Sequence, residues 1–550
     1  MPLKSRPEKP SDDYLVYDIE TSPSYEGEPL NTCFLGAGTF DGTTYRLHSS
    51  LESLADYCIE ALPTRDKTIY AHNGAKYDML YLLPELIKSG HTWHIFGGSR
   101  FFAKGNTRTF ADSMAILPKS LAAISDDLGL ELKKGSIDYK DIVNQDWEPY
   151  LENDCRILYE AISRLRHTVY NLGGQVRLTL ASTALDLFRR KYLDRIITWG
   201  SSQEEHERAA LYGGRTEVFR TRANNVEYYD INSSYSASAL EPVPIRYMGK
   251  TVSNSWGDCD IIKAQVSVPD MRYPPLPYRQ KGKLIFPTGR WIGYYVGAEL
   301  SHAVSCGVNV TVLERHIYKA SPILASYSKE IYKLKQDGNP AAKLLLNALY
   351  GRFAMKLEKE QILLNPSLET LQGLDQDLVP YKTIGNDIIS YTESSDGFIF
   401  PAVFATITAR ARVRLHKALL ASDGKAVYCD TDSIILEAPS KKQTPEIGDE
   451  LGQWKLEGKH KRYRALAPKV YQLDKTTKAK GVRLPKDYAE LEENCYVPNV
   501  RMRGLKETLT KPDNYKLYVG TKSIGFIRGD KRVWDKRKLD SKPLKIYLDD

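Results

Sequence analysis

Two apolar, strand-like runs far apart in the chain both carry aspartates at their ends, and this pairing constrains the fold more than any other feature. Residues 226–231 include Asp230. Residues 426–436 are interrupted by Asp430-Thr431-Asp432, which reads as the turn of a hairpin. An Asp-Thr-Asp turn is often only turn chemistry. Two such runs in one domain require the chain to leave that domain and return. Between them lie a helical run, 323–356, and two stretches rich in Pro, Gly, Asn and Asp, 242–322 and 357–400, expected to be irregular inserts.

The first 172 residues alternate strand-like runs (14–19, 67–71) with helical ones (77–87, 149–166), the pattern of an α/β domain. A chain of 550 residues favours several domains. No apolar run approaches the roughly 18 residues needed to span a bilayer, and residues 1–13 lack a secretory apolar core, so a soluble cytoplasmic protein is expected. The seven cysteines form no CxxC pair and read as reduced thiols, not zinc ligands. The net charge of +8 is uneven: from Gly458 onward there are 24 Lys+Arg against 12 Asp+Glu. That segment, interleaved with Tyr463, Tyr471, Tyr488, Tyr496 and Trp534, suits a phosphate-neutralising surface, and equally a solvated basic face.

The first chemical signal is Asp18-Ile19-Glu20, where the two-residue period of a strand places both carboxylates on one side. Two adjacent acids repel, a cost offset where divalent cations bind between them. His72-Asn73-Gly74-Ala75-Lys76-Tyr77-Asp78 and Tyr150-Leu151-Glu152-Asn153-Asp154 follow. On a helix Tyr150 and Asp154 share a face. Asp18, Glu20, Asp78 and Asp154 could together hold two ions about 3.5–4 Å apart, as in two-metal phosphodiester hydrolysis.

The second centre combines Asp430 and Asp432 with Asp230-Ile231-Asn232-Ser233-Ser234-Tyr235 and with a helical segment in which Lys343, Asn347, Tyr350 and Gly351 recur at helical spacing. Those four are expected on one face, where a cation, an amide and an aromatic ring suit a triphosphate and a base pair.

The order DxE, Nx₃YD, YxxxD resembles the three exonuclease motifs of family B DNA polymerases. The segments around Asp230, Lys343 to Gly351 and Asp432 resemble that family's motifs A, B and C, and Lys469-Val470-Tyr471 its KxY motif. Leu451-Gly452, Trp454 and Glu457, together with the two inserts, Ser120-Leu121 and Lys134, resemble the protein-primed branch that replicates small phage genomes with protein-capped ends. Departures are Ser233-Ser234-Tyr235-Ser236 where SLYP is usual, Ala348 where Ser is commoner, and Leu211-Tyr212-Gly213-Gly214 for the linker motif YxGG.

The resemblance implies an α/β and α+β multidomain fold: a ribonuclease H-like 3′–5′ exonuclease (1–172), then a right-handed polymerase core. That core comprises palm (173–241 and 401–480), fingers (323–356), thumb (481–550), an insert contacting terminal protein and duplex (242–322), and one for strand displacement (357–400). It implies Mg²⁺, two ions per site with Mn²⁺ able to substitute, on Asp18, Glu20, Asp78 and Asp154 and on Asp230, Asp432 and the Ile231 carbonyl. Asp430 supports the second pair, and Tyr150 orients the attacking water. Tyr235, Lys335, Lys343, Asn347 and Tyr350 meet the incoming dNTP. Thr21, His72, Asn73, Tyr77, Ser120, Leu121, Tyr212, Gly213, Gly214, Gly351, Lys469 and Tyr471 meet DNA. The implied partners are template-primer DNA, dNTPs and a terminal protein serving as primer. The implied state is a monomer, or a heterodimer with that protein, in a bacterial host cytoplasm. Rival readings are an oligonucleotide-primed or primer-independent polymerase, a nuclease whose core only positions substrate, and a DNA-binding accessory protein with inactive sites.

Overall fold

The structure is a computed structural model. It describes residues 2–3, 5–22, 34–61, 67–96, 102–105, 108–197, 204–356, 358–376, 381–384, 388–394, 398–480, 496–502, 519–525, 531–535, 537 and 539–547. No helix among them is long and apolar enough to cross a membrane.

The N-terminal unit is built on strands β1 (Tyr14–Thr21), β2 (Phe34–Phe40), β3 (Tyr45–His48), β4 (Lys67–Ala71), β5 (Trp93–Phe96), β6 (Phe102–Gly105) and β7 (Arg108–Asp112). β1, β4 and β7 pair in parallel, and antiparallel strands flank them. Parallel neighbours need crossover connections. Around the sheet stand helices α1 (Leu51–Asp56), α2 (Asp78–Lys88), α3 (Leu121–Asp127) and α4 (Glu148–Asn171). α4 starts with Pro149 in its first turn and buries a stripe of Leu151, Cys155, Leu158, Ile162 and Leu165 at three- and four-residue intervals. Its Tyr159 ring stacks on Tyr14 of β1 with centroids 4.4 Å apart. α4 therefore lies across β1 and brings residues 150 and 154 over residues 18 and 20.

Helices α5 (Leu180–Leu187) and α6 (Glu204–Ala209) lead to a seven-stranded antiparallel sheet. It joins β8 (Thr216–Val218) and β9 (Arg222–Ile231), followed by helix α7 (Ser234–Ser238), to strands from much later in the chain. The two separated stretches thus form one sheet.

The segment 242–322 is regular, contrary to expectation. β10 (Val243–Thr251), β11 (Ile261–Val268), β14 (Thr288–Val296) and β15 (Asn309–Ser321) make an antiparallel sheet, with the hairpin β12 (Tyr278–Gln280) and β13 (Lys283–Ile285) and helix α8 (Gly297–Ser305) attached. The alternation in β11, with Ile262, Ala264, Val266 and Val268 buried, is visible in the sequence but sits among turn residues. The helical run 323–356 is likewise interrupted. α9 (Ala325–Gln336) ends at Gly338, whose φ is 82°, and α10 (Pro340–Ala348) restarts with Asn339 accepting from the amides of Ala341 and Ala342 at 3.1 Å.

The segment 357–400 supplies β16 (Glu358–Leu364), α11 (Leu368–Gln376), β17 (Tyr381–Ile384) and β18 (Ile388–Ser394). β16 pairs with β5, extending the N-terminal sheet to ten strands. Helix α12 (Pro401–Ala421), buried along much of its length, then leads back to β19 (Ala426–Asp430), β20 (Ser433–Glu437), β21 (Trp454–Ala467), β22 (Val470–Leu473) and β23 (Thr476–Ala479). Tyr463 and Tyr471 of the basic segment are core residues of this sheet, not surface aromatics. Tyr488 and most of 481–530 lie outside the described residues. Past them, a strand at Lys545–Ile546 pairs in parallel with β14.

Candidate active sites

β1 presents Asp18 and Glu20 toward α4, and the start of α2 places Asp78 beside them: its Oδ1 accepts from the Ile19 amide at 3.0 Å. Asp154 completes the cluster and pairs with Lys134. The Lys134 ammonium also lies 4.5 Å from the centre of the Tyr150 ring, and the Tyr150 hydroxyl is 2.8 Å from that of Tyr139. Burial, then the neighbouring carboxylates, pushes Asp18 up to about 7 and Glu20 up to about 8. Asp78 is raised well above the usual carboxylate range by the same causes, and Asp154 is raised chiefly by burial. Oδ1 of Asp154 is buried without a hydrogen-bond partner among the described residues. Four crowded, desolvated carboxylates, one with an unused buried oxygen, make a donor set suited to hard divalent cations.

Around this cluster the Thr21 and Tyr77 hydroxyls hydrogen-bond to each other, and Asn73 takes a left-handed φ of 62°. His72 differs from expectation. Its Nδ1 meets Ser113 Oγ at 2.8 Å and its Nε2 the Lys119 carbonyl at 2.7 Å, so both nitrogens are committed to the protein. Burial holds its pKa down to about 4. Ser120 caps α3, accepting from the Ala123 amide at 3.4 Å, and Leu121 is buried beneath it.

In the second centre β9 lies between β20 and β21, with Asp230 opposite Ser433 on one side and Lys455 on the other. The Ile231 amide donates to the Asp432 carbonyl at 2.8 Å, which locks the 431–432 turn beside Asp230. Burial and then Asp432 raise Asp230 to about 7, while Asp432 is raised to about 6, chiefly by burial. Asp430 is compensated: Lys469 Nζ donates to its two oxygens at 2.7 Å and 2.8 Å, and Thr216 Oγ1 donates at 2.8 Å. Lys335 donates to Ser233 Oγ at 3.1 Å; burial and then Lys343 lower its pKa, with Asp230 opposing them. The Tyr235 ring meets Phe404 edge-on at 6.0 Å, and its pKa is raised first by burial and then by Asp432.

A family model of DNA polymerase type B, organellar and viral, matches residues 60–149 and 143–399. The chain belongs to this family. Among its relatives are a probable DNA polymerase of Podospora anserina, 27% identical over 78% of this chain and 42% of that protein, and the DNA-directed DNA polymerase of Enterobacteria phage PRD1, 26% identical over 86% and 85%. The chain spans about half the length of the fungal relatives it matches. Its fold is that of a solved Phi29 DNA polymerase complexed with single-stranded DNA: TM-score 0.71 at 17% identity, covering 93% of this chain and 100% of that one.

In this member of the family the expected helical face of Lys343, Asn347, Tyr350 and Gly351 is split. Lys343, Asn347 and Gly351 are exposed, but α10 ends at Ala348, and Tyr350 turns inward, fully buried, with its hydroxyl 2.9 Å from Ser328 Oγ. Lys343 Nζ instead lies 3.9 Å from Asp127 of α3, linking α10 to the N-terminal unit. The linker motif runs behind the second centre. A Cβ on Gly214 would come within 2.5 Å of Thr431 Oγ1, so any larger residue would force the Thr431 side chain of the 430–432 turn to shift. Gly213 has no such neighbour, but its carbonyl and that of Tyr212 accept from Arg412 Nη1 at 3.1 Å and 2.7 Å. Tyr471 packs on Tyr428 with centroids 4.9 Å apart. Sequence reasoning missed Tyr139 and Thr216, whose only signal is a polar residue near a motif. It also missed the pairing of Lys469 with Asp430, which depends on a strand register.

Proposed function

We propose that this type B polymerase is a template-directed DNA polymerase with a 3′–5′ proofreading exonuclease, its two reactions run by two separate carboxylate centres. The observation that carries the reading is the union of Asp230 with the Asp430-Thr431-Asp432 turn on neighbouring strands, beside the cations Lys335 and Lys469. The division of labour follows the domains expected from sequence: exonuclease 1–172, palm 173–241 and 401–480, inserts 242–322 and 357–400, fingers 323–356 and thumb 481–550.

Asp230, Asp432 and the Ile231 carbonyl would hold divalent ions at the polymerase centre, and Asp18, Glu20, Asp78 and Asp154 at the exonuclease centre. Such ions, Mg²⁺ foremost, supply a lowered pKa for the attacking hydroxyl or water and neutralise phosphate charge. Asp430, held by Lys469, fixes the turn that carries Asp432. Lys335 and Lys343 offset charge on the triphosphate. Tyr235 stands where a ribose 2′-hydroxyl would collide. Tyr150 orients the hydrolytic water, with its ring set by Lys134 and Tyr139, while Thr21, Asn73 and Tyr77 grip the frayed 3′ end.

Initiation is proposed to use a hydroxyl of a terminal protein in place of a primer 3′-hydroxyl, so that the same aspartates serve both. The support is the branch-specific resemblance at Ser120-Leu121 and Lys134 and the substantial sheet inserted at 242–322. With Mg²⁺, purified protein should extend an annealed primer with dNTPs and degrade a single-stranded 3′ end. With its cognate terminal protein and origin DNA it should give a protein–nucleotide adduct that survives denaturation. Failure of primer extension by folded protein would overturn the polymerase reading, and absence of the adduct the priming mode.

A further inference from the structure

Away from both carboxylate centres, α8 carries His302 near its end, and Cys306 follows at the helix terminus four residues on, so both face the same side. That side packs on α12, which presents His416. His302 Nε2 lies 2.8 Å from His416 Nδ1 and 3.8 Å from Cys306 Sγ, and ligand atoms of all three lie within 4.8 Å of one another. Two imidazole nitrogens on a tetrahedral ion with bonds of about 2.05 Å sit about 3.4 Å apart, and nitrogen and sulfur about 3.6 Å apart. Small side-chain rotations convert the observed spacing into that one.

The outer contacts suit ligation. His416 is almost fully buried, and its Nε2 donates to the Tyr273 carbonyl at 2.6 Å, which leaves Nδ1 as a lone pair aimed at His302. A metal-bound imidazole is usually oriented by such a bond through its other nitrogen. His302 and Cys306 are only partly buried, and His302 borders an open cavity of about 470 Å³ lined also by Glu241, Asp258, Arg410, Arg414 and Lys417. The cavity gives an ion a route to His302.

We propose that His302, Cys306 and His416 form a binding site for a thiophilic divalent ion, Zn²⁺ foremost, which staples the 243–321 sheet to α12. One thiolate with two imidazoles selects a borderline-soft ion over Mg²⁺, whose preferred donors are oxygens. On binding, Cys306 releases its thiol proton, and His302 carries its ring proton on Nδ1 so that Nε2 is free to coordinate. The ion joins two elements that already touch, so its effect is to resist their separation, not to build the fold.

The carboxylate centres also take divalent ions, so the test reads the thiol. Full-length protein stripped with a chelator is titrated with Co²⁺ to look for thiolate-to-cobalt charge-transfer absorption. In parallel, alkylation of Cys306 is followed by peptide mapping with and without Zn²⁺. The expected results are one Co²⁺ equivalent showing the absorption, its loss in Cys306→Ser and in His416→Gln, and protection of Cys306 by Zn²⁺. The alkylation arm uses unaltered protein and decides the matter even if a variant misfolds. No thiolate absorption, absorption that persists in Cys306→Ser, or alkylation indifferent to Zn²⁺ would overturn the site.

Discussion

Lys469 places its ammonium against both oxygens of Asp430, at 2.7 Å and 2.8 Å, from a backbone held at φ 67°. Its amide also donates to the Tyr428 hydroxyl at 3.0 Å, so the turn between β21 and β22 grips the end of β19. Asp430 is thereby spent on structure, while Asp432 keeps a raised pKa. Asp432→Asn should lower kcat for nucleotide incorporation by about 10²–10³-fold or more, the scale of losing one electrostatic stabiliser. Asp430→Asn should cost less, and Lys469→Met should fall between them. Single-nucleotide extension of a primed template gives the ranking, and an Asp430→Asn loss equal to that of Asp432→Asn would contradict the assignment.

The two acid clusters are built around different sheets, so the two proposed activities should separate. Asp18→Ala with Asp78→Ala should abolish degradation of single-stranded 3′ ends and leave primer extension largely intact. Asp432→Ala should do the reverse. A folded variant of either kind that lost both activities would refute the two-centre scheme.

Tyr235 meets Phe404 edge-on near Asp432. If its ring excludes the ribose hydroxyl, Tyr235→Val should admit ribonucleotides in primer extension. Lost stability with unchanged sugar preference would assign it to packing alone.

The carboxyls of Asp18 and Glu20 are raised to about 7 and about 8, first by burial and then by neighbouring carboxylates, Asp154 for Asp18 and Asp18 with Asp154 for Glu20. Raised acids hold protons in the folded state that the unfolded chain has released. Stability of metal-free protein from these groups is therefore present below about pH 4 and is lost as pH rises toward 8. Thermal melts in a chelator should show a lower Tm at pH 8 than at pH 5, with Mg²⁺ narrowing the gap. An Asp18→Asn, Glu20→Gln variant should show a smaller dependence; a dependence equal to that of the unaltered protein would place its origin elsewhere.

Glu217 is buried between two guanidinium groups: Arg215 Nε donates to it at 2.7 Å, and Arg532 Nη1, from the far end of the chain, at 3.2 Å. Both hold its carboxyl below the usual range against the cost of burial, so its stabilisation is lost only as pH falls through that depressed pKa. Glu217→Ala would strand two buried cations and should cost about 3–5 kcal/mol in denaturant unfolding. A loss under about 1 kcal/mol would show the triad to be solvated.

Local signals in the sequence determined a good deal. The strand-like runs with their acids at 14–20 and 226–231, the hairpin at 426–436, and the helical spacing of α4 all reflect contacts within a few residues, which composition and periodicity encode. The acids are singled out by the order of their motifs, which resembles that of a known family, and not by position within an element: Asp18 lies inside β1, Asp78 opens α2 and Asp154 lies in the second turn of α4. The folding of 242–322 into a sheet was less legible, because its strands are joined by turn-rich stretches and pair out of order, β10 with β15 and β11 with both β14 and β15. Tertiary structure alone decided which partner each polar group received. Lys469 reaches Asp430, Lys343 reaches Asp127, Arg532 reaches Glu217, and Tyr350 turns away from Lys343 into the core. Such choices depend on strand register and on where a helix ends. A shift of one residue in either reverses which face a side chain occupies, and no pattern within a single segment specifies the segment it will meet.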